Sequence, residues 1–373
     1  MNKLDQEKDM SKIKMLDKMD YDFYVIAFSG GAGSLACILH LLESKIPMDR
    51  VELWHHRVDG VENDLLFDWE CTNGYVEKIA ASFGIPVYFS WREGGLEREM
   101  LRENSATAPI WFESPQGLHK TGGKSSRLAT RLQFPQISNS LSTRWCTSYS
   151  KLDVMKSAIA NQERFKNKNT LIITGEYRQN STKSKYRELD FHPTTTKSRN
   201  IHHWRPVIDW GSKQIWGIIQ RWSVNPHVAY KLGWNKCSCM LCIFSSDDQW
   251  ASAYSVYPAR ILKISDYEKQ FGRTIAYKSK AIKAIDYERF RIRGKVCKIG
   301  SIIRKRVVIQ DPVLERVARG NSFPMDFEDI IQARSKKWHQ PIFLNSSQWE
   351  MPLGAITDYQ ILNKNHEYLD SSQ

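Results

Sequence analysis

The hydrophobic positions of this chain fall first into an unbroken block and then into a helical rhythm. Residues 24–28 (YVIAF) form an apolar, β-branched and aromatic run, the pattern of a strand buried on both faces of a parallel sheet. Ser29, Gly30, Gly31, Ala32, Gly33 and Ser34 follow at once, and residues 35–42 carry an apolar helical run. The alternation then recurs. Residues 51–56 predict a second strand, 65–83 a helix ending at Gly84, 86–91 a third strand, and 96–102 a helix opened by Gly94 and Gly95. From 104 to 143 the periodicity dissolves into Ser, Thr, Gly and Pro. That stretch reads as one long basic loop with Lys120, Lys124, Arg127 and Arg131, a lid or a polynucleotide-contacting segment.

Arg144, Trp145 and Cys146 lead into a helix reaching about residue 160, and residues 170–174 predict the fourth strand. A fifth strand is expected at 204–207, and a helix beginning at Ser212 with Ser212 as its N-cap. Strands alternating with helices predict an α/β fold with a doubly wound parallel sheet. Beyond Trp250 the chain reads as mostly helical and basic, with a dense cationic stretch from Arg291 to Arg306. The expected organisation is a polar arm at 1–20, a nucleotide-binding domain at 21–245 and a helical basic region at 246–373. Residues 331–373 carry no motif that we can interpret.

A strand, a glycine turn and a helix N-terminus together make an anion site. Glycines let the backbone approach the ligand, free N–H groups point at it, and the helix end adds roughly half a positive charge. Phosphate is the expected anion, with Ser29, Gly30, Gly31, Ala32, Gly33 and Ser34 as its cradle. The loop matches neither the G-x-G-x-x-G nor the G-x-x-x-x-G-K-[ST] pattern, so neither a dinucleotide fold nor a Walker P-loop is indicated.

Composition sharpens the picture. The 373 residues carry a net charge of +13, which favours a polyanionic partner, nucleic acid first. Thirteen Trp residues include candidates for stacking on bases. No apolar run approaches the ~20 residues that cross a bilayer, and the charged N-terminus lacks the apolar centre of a signal peptide. A cytoplasmic protein without a membrane partner is expected. The seven Cys are an odd number, which argues for metal or sulfur chemistry rather than a disulfide framework. Cys237, Cys239 and Cys242 place three thiols within six residues, and Cys146 is the best fourth. Four thiolates fit a zinc site or a 4Fe-4S cluster, and spacing does not separate them. Cys37, Cys71 and Cys297 are expected in the core.

Several ordered elements resemble the PP-loop ATP pyrophosphatases, the superfamily that includes the phosphoadenylyl-sulfate reductases. The SGGAGS loop resembles its SGGxDS loop, with Gly33 where the family has Asp and Ala32 where the reductase-like branch often has Lys. Arg144-Trp145-Cys146-Thr147 followed by Lys151 resembles an R-x-C-T…K element. Gly175, Arg178, Ser181 and Arg187 resemble a G-x-R-x2-E-S…R element, with Asn180 in place of Glu. His203 to Trp210, then Pro226-His227, Tyr230 and Gly233, and finally Cys239-x2-Cys242-Ile243-Phe244 resemble its WRPI-x-DW, P-H-x-x-Y-x-x-G and C-x2-C-I-F elements. The pattern is nearest to the DNA phosphorothioation sulfurtransferases of the DndC/SspD type and covers about residues 21–245.

The resemblance implies an adenine nucleotide alpha hydrolase-like fold, ATP with Mg2+ as cofactor, and Lys151, Arg178 and Arg187 neutralising phosphate charge as catalytic groups. It implies Cys146, Cys237, Cys239 and Cys242 as iron–sulfur ligands, a 4Fe-4S cluster with zinc as the alternative. It also implies DNA as substrate, a cysteine desulfurase as sulfur donor, and other modification-system proteins as partners. A phosphoadenylyl-sulfate reductase is the runner-up, although its C-terminal E-C-G-L-H nucleophile has no counterpart after Cys297. A tRNA thiolase and a nucleotide-binding scaffold with a disarmed loop complete the alternatives. His202, His203 and His227 are acid–base candidates by type, with core or surface roles favoured for each.

Overall fold

The computed structural model describes residues 20–124, 127–138, 140–177, 187–275 and 312–355. The N-terminal arm, Arg178 and the Arg291 to Arg306 stretch with Cys297 lie outside these residues.

The elements follow the expected alternation. They are β1 (Phe23–Ala27), α1 (Ala32–Glu43), β2 (Val51–Arg57), α2 (Thr72–Phe83), β3 (Val87–Arg92) and α3 (Gly95–Met100). Then come β4 (Ile110–Ser114), β5 (Gly117–Thr121), α4 (Asp153–Ala160), β6 (Asn169–Ile173), β7 (Leu189–Phe191) and β8 (Asn200–Trp204). The helices α5 (Ser212–Arg221), α6 (Val228–Lys231), α7 (Asp247–Val256), α8 (Pro258–Phe271), α9 (Pro312–Arg319) and α10 (Phe327–Ala333) complete the described chain.

Eight strands form one sheet in the order β5-β4-β3-β2-β1-β6-β8-β7. The five central strands, from β3 to β8 in that order, are parallel; β4 and β7 run against them at the two sides, and β5 pairs antiparallel with β4 at the edge. This is a doubly wound α/β sheet with a helical C-terminal region. Tyr24, Val25 and Ile26 of β1 are fully buried, as an apolar run covered on both faces requires. The larger core lies on the side of α1, α2 and α5. A smaller one gathers Val25, Trp54, Ile172 and Ile201 against Val154 and Ile159 of α4.

Four expectations are corrected. The long loop at 104–143 contains the hairpin β4–β5, whose five-residue strands are too short to stand out among the turn residues around them. The helix expected from 65 begins at Thr72, because the Asp59 carboxylate holds the preceding chain in a bent, non-helical turn by accepting the N–H groups of Leu66, Phe67 and Asp68 at 3.0, 2.7 and 2.7 Å. The fifth parallel strand ends at Trp204 rather than beginning there, since Pro206 has no N–H to offer a ladder. Gly211, not Ser212, is the N-cap of α5, its N–H donating to Gln214 Oε1 at 2.8 Å.

The described part of 246–355 packs on the sheet-bearing part. Arg260 of α8 donates to the Asp68 carbonyl at 2.6 Å, while within the region Arg316 of α9 pairs with Asp247 of α7 at 2.7 Å. The last stretch then returns to the α/β body. Asn225 N–H donates to Ile342 O at 2.7 Å, Leu344 N–H to Ser223 O at 2.9 Å, and Trp349 Nε1 to Val224 O at 2.9 Å. Trp338 seats its ring 4.6 Å from Tyr75 and 5.9 Å from His227.

Candidate functional site

β1 and β6 are neighbours, yet the chain leaves them in opposite directions, towards β2 on one side and β8 on the other. That divergence is the switch point of a doubly wound sheet, where a crevice opens beyond the carboxyl ends of the strands. The loop after β1 and the loop after β6 meet there. Gly30 takes φ +79°, a left-handed conformation, and Gly31 precedes α1 in extended geometry. A Cβ on Gly33 would stand 2.4 Å from the Gly175 carbonyl oxygen, and one on Gly175 would stand 2.2 Å from the Gly33 carbonyl carbon. The two backbones touch, and only glycine fits on both sides. The Asp that the resemblance would place at position 33 has no room without moving the loop after β6.

The loop is covered. Residues 30–34 are buried. Ala32 N–H, at the start of α1, donates to the Tyr230 hydroxyl at 2.8 Å. Ser34 Oγ donates to Gly31 O at 2.9 Å, and Ser29 Oγ is 3.5 Å from Ser34 Oγ. Burial raises the Tyr230 phenol well above its ordinary value, so it stays protonated. The first-turn N–H groups of Gly33 and Ser34 have no partner within the helix by its geometry. Tyr75 and His227 flank Gly30. His227 Nδ1 accepts the Ala229 N–H at 3.1 Å, its Nε2 lies 3.2 Å from Thr72 Oγ1, and burial lowers its pKa to about 3. It is a neutral structural ring.

The four cysteines of the expected ligand set divide. Cys237 turns to the glycine loop, its Sγ donating to Ser29 O at 3.8 Å and standing 3.5 Å from the point where a Gly30 Cβ would be. Cys146, Cys239 and Cys242 instead share the surroundings of Lys151. Among the described residues no group of three or more His, Cys, Asp or Glu side chains is set to hold a metal ion. Cys37 and Cys71 are buried in the core, as expected.

Lys151 lies in a π-helical stretch, Ser148–Leu152, that interrupts the helical run before α4. Such stretches are frequent at functional sites. Burial disfavours its ammonium, but Cys239, Asp68, Cys242 and Cys146 outweigh that and raise its pKa. Burial also pushes the Cys239 thiol well above its ordinary range, so at neutral pH the negative partner is the Asp68 carboxylate. Asp68 accepts Val58 N–H at 2.8 Å and Asp59 N–H at 3.4 Å, reciprocating the bond from its own N–H to Asp59. Burial raises the pKa of both carboxyls, and for Asp59 the charge of Asp68 adds to it. Cys237 has Asp68 and Lys151 among its electrostatic neighbours, so the glycine loop and the thiol zone adjoin through it. Asp59, with Arg57 and Asp64, is expected near a ligand from its place just beyond β2, whereas Asp68 carries no such expectation.

Arg187 is exposed, beside the segment that contains Arg178. The backbone carbonyl of Arg187 accepts from Arg205 Nη1 at 2.9 Å, and Arg205 Nε pairs with Glu176 at 2.8 Å just beyond β6. Arg205 thus positions the loop that carries Gly175. His203 Nε2 sits 2.8 Å from Thr174 Oγ1, and burial lowers the His203 pKa to about 3. His202 Nδ1 is 2.6 Å from the Tyr21 hydroxyl. His202 is buried and His203 half-buried.

A cavity of about 360 Å3 opens beside the thiols, walled by Cys239, Cys242, Phe244, Lys236, Ser238 and Asn235 among others. No helix among the described residues is long and apolar enough to cross a membrane.

The geometry defines an α/β protein with a glycine loop at its switch point and a thiol zone alongside. No protein-family model and no curated protein matches the chain. Among solved structures it is similar to Candida glabrata FMN adenylyltransferase in complex with ATP, with 8% identity and a TM-score of 0.34 over 58% of this chain and 53% of that one. It is also similar to that enzyme in complex with FMN and the ATP analogue AMPCPP, with 8% identity and a TM-score of 0.32 over 59% and 55%. The chain spans about half the length of these structures.

Proposed function

We propose that this chain is a PP-loop-type enzyme that uses ATP with Mg2+ to activate a phosphate of the DNA backbone for sulfur insertion. The observation that carries the reading is Cys237, which joins the glycine loop at the switch point to the Lys151 and thiol zone. Nucleotide activation and sulfur chemistry then share one site. The resemblance over residues 21–245 and the net charge of +13 support DNA as the substrate.

In this reading the triphosphate sits on the N-terminus of α1, held by the loop from Ser29 to Ser34. A non-bridging oxygen of the DNA phosphate attacks the α-phosphorus of ATP, one P–O bond forms, and pyrophosphate leaves. Lys151, Arg187 and Arg178 neutralise the charge that develops. Mg2+, when bound with the nucleotide, would supply further neutralisation of the charge on the leaving pyrophosphate. A persulfide sulfur supplied by a cysteine desulfurase then attacks the DNA phosphorus and expels AMP. Attack by a second thiol on the resulting S–S bond releases the phosphorothioate and leaves a disulfide, which balances the electrons.

A second reading keeps the four cysteines as 4Fe-4S or zinc ligands. The shared neighbourhood of Cys146, Cys239 and Cys242 favours it, and the seat of Cys237 on the glycine loop weighs against it. Iron, sulfide and zinc analysis of anaerobically purified protein separates the two. The main reading is tested by titrating ATP–Mg2+ calorimetrically and by following pyrophosphate release with and without DNA. DNA-stimulated release that Lys151→Met abolishes is expected. Absence of ATP binding overturns it.

A further inference from the structure

We propose that Phe244, Arg144 and Lys236 form a docking platform for one unpaired nucleotide of a single-stranded polynucleotide, at the mouth of the cavity walled by Cys239 and Cys242. This deepens the reading of nucleic acid as the substrate and rests on it. Phe244 directly follows the buried Ile243, yet the residue is 47% exposed. An aromatic face left in solvent at the edge of a cavity is a stacking surface, because every base presents a π-face. Two cations stand beside it. Arg144 Cζ lies 5.9 Å and Lys236 Nζ 6.0 Å from the ring centroid. Both distances are at the outer limit of a cation–π contact, so neither cation is seated tightly on the ring. Arg144 Nε is also buried without a hydrogen-bond partner among the described residues, a donor still to be satisfied.

The arrangement pairs a stacking face with phosphate-seeking charges, the two parts of single-strand recognition. Asp248, the acid on the cavity wall, accepts the Asn321 N–H at 2.7 Å. Ser238 and Asn235 give the wall polar edges for the rim of a base. The volume of about 360 Å3 suits one nucleotide and excludes a stacked duplex, so the base must be unpaired or extruded. The net charge of +13 favours a polymer, whose phosphates continue past the cavity, over a free mononucleotide.

The test is fluorescence anisotropy of the full chain with a short labelled oligothymidine, a labelled duplex, and thymidine monophosphate as competitor. Phe244→Ala is expected to weaken oligothymidine binding about tenfold while leaving duplex affinity unchanged, and Phe244→Trp to restore it. Arg144→Gln and Lys236→Gln are each expected to reduce the salt slope by about one. Equal oligothymidine affinity for Phe244→Ala and the parent overturns the platform. Competition by thymidine monophosphate at the strength of the oligomer overturns the polymer assignment. Calorimetry with ATP–Mg2+ keeps the two readings apart. A parent that binds no ATP while Phe244→Ala still loses the oligomer removes the activation chemistry and leaves the platform standing.

Discussion

The backbones of Gly33 and Gly175 are in contact across the switch point, with a Cβ on either one falling within 2.4 Å of the other. The glycine at 33 is therefore a requirement of this fold and not simply a lost carboxylate. Gly33→Ala and Gly33→Asp are expected to lower stability by about 1–3 kcal/mol through overpacking, with Asp the worse, and neither to raise pyrophosphate release above the parent's. Urea denaturation measures the first effect. A Gly33→Asp protein as stable as its parent, and more active, would show that the two loops separate easily.

The hydroxyl of Tyr230 occupies an N–H that a bound phosphate would use. Tyr230→Phe leaves the buried Ala32 N–H unpaired, which costs about 1–3 kcal/mol in the free protein. Saturating ATP is expected to close most of the gap in melting temperature, because phosphate then takes the N–H. A gap that ATP leaves unchanged places the triphosphate elsewhere.

Asp59 and Asp68 bind each other's loop backbone and hold their protons to higher pH than ordinary aspartates. The folded chain keeps more protons than the unfolded one across that range. The pair's contribution is thus favourable at low pH and is lost as pH rises from the usual aspartate range through the raised values. Asp59→Asn keeps an oxygen for the three N–H donors and puts an amide where Oδ1 has no partner. A flatter dependence of the urea midpoint on pH is expected. Parallel curves for variant and parent would mean that Asp59 is ionised throughout.

Cys237 and Cys242 are expected to part company under mutation. Cys237→Ala opens space against Gly30, so nucleotide affinity falls while any bound iron or zinc is retained. Cys242→Ser is expected to lower sulfur transfer, or metal content if a soft metal is held, with ATP binding intact. Equal metal loss in both variants would restore a four-thiolate ligand set.

Much of this architecture is legible in the sequence because local and global signals agree there. The YVIAF run, the glycine loop and the apolar helix after it are consecutive, and the alternation at β2, α2 and β3 has clear breaks. Cys37 and Cys71 follow their apolar neighbours into the core. What escapes the sequence is set at long range. The hairpin β4–β5 depends on pairing with the edge of β3, and β8 carries Asn200, His202 and His203, polar residues that only the ladder with β6 makes a strand. The start of α2 is decided by the side chain of Asp59, and the cover over the glycine loop by Tyr230, 198 residues from Ala32. The division of the four cysteines likewise depends on which way the short segment after Trp234 turns.

The stretch that returns to the α/β body bears on synthesis as well as on shape. A ribosome delivers the glycine loop long before Trp338. Yet Trp338 forms the back of the wall that seats Tyr75 and His227 behind that loop. A nascent chain released early would carry every residue of the loop and lack the ring that steadies it. The order of manufacture thus delays a finished pocket until Trp338, far behind the loop in the chain, has left the exit tunnel.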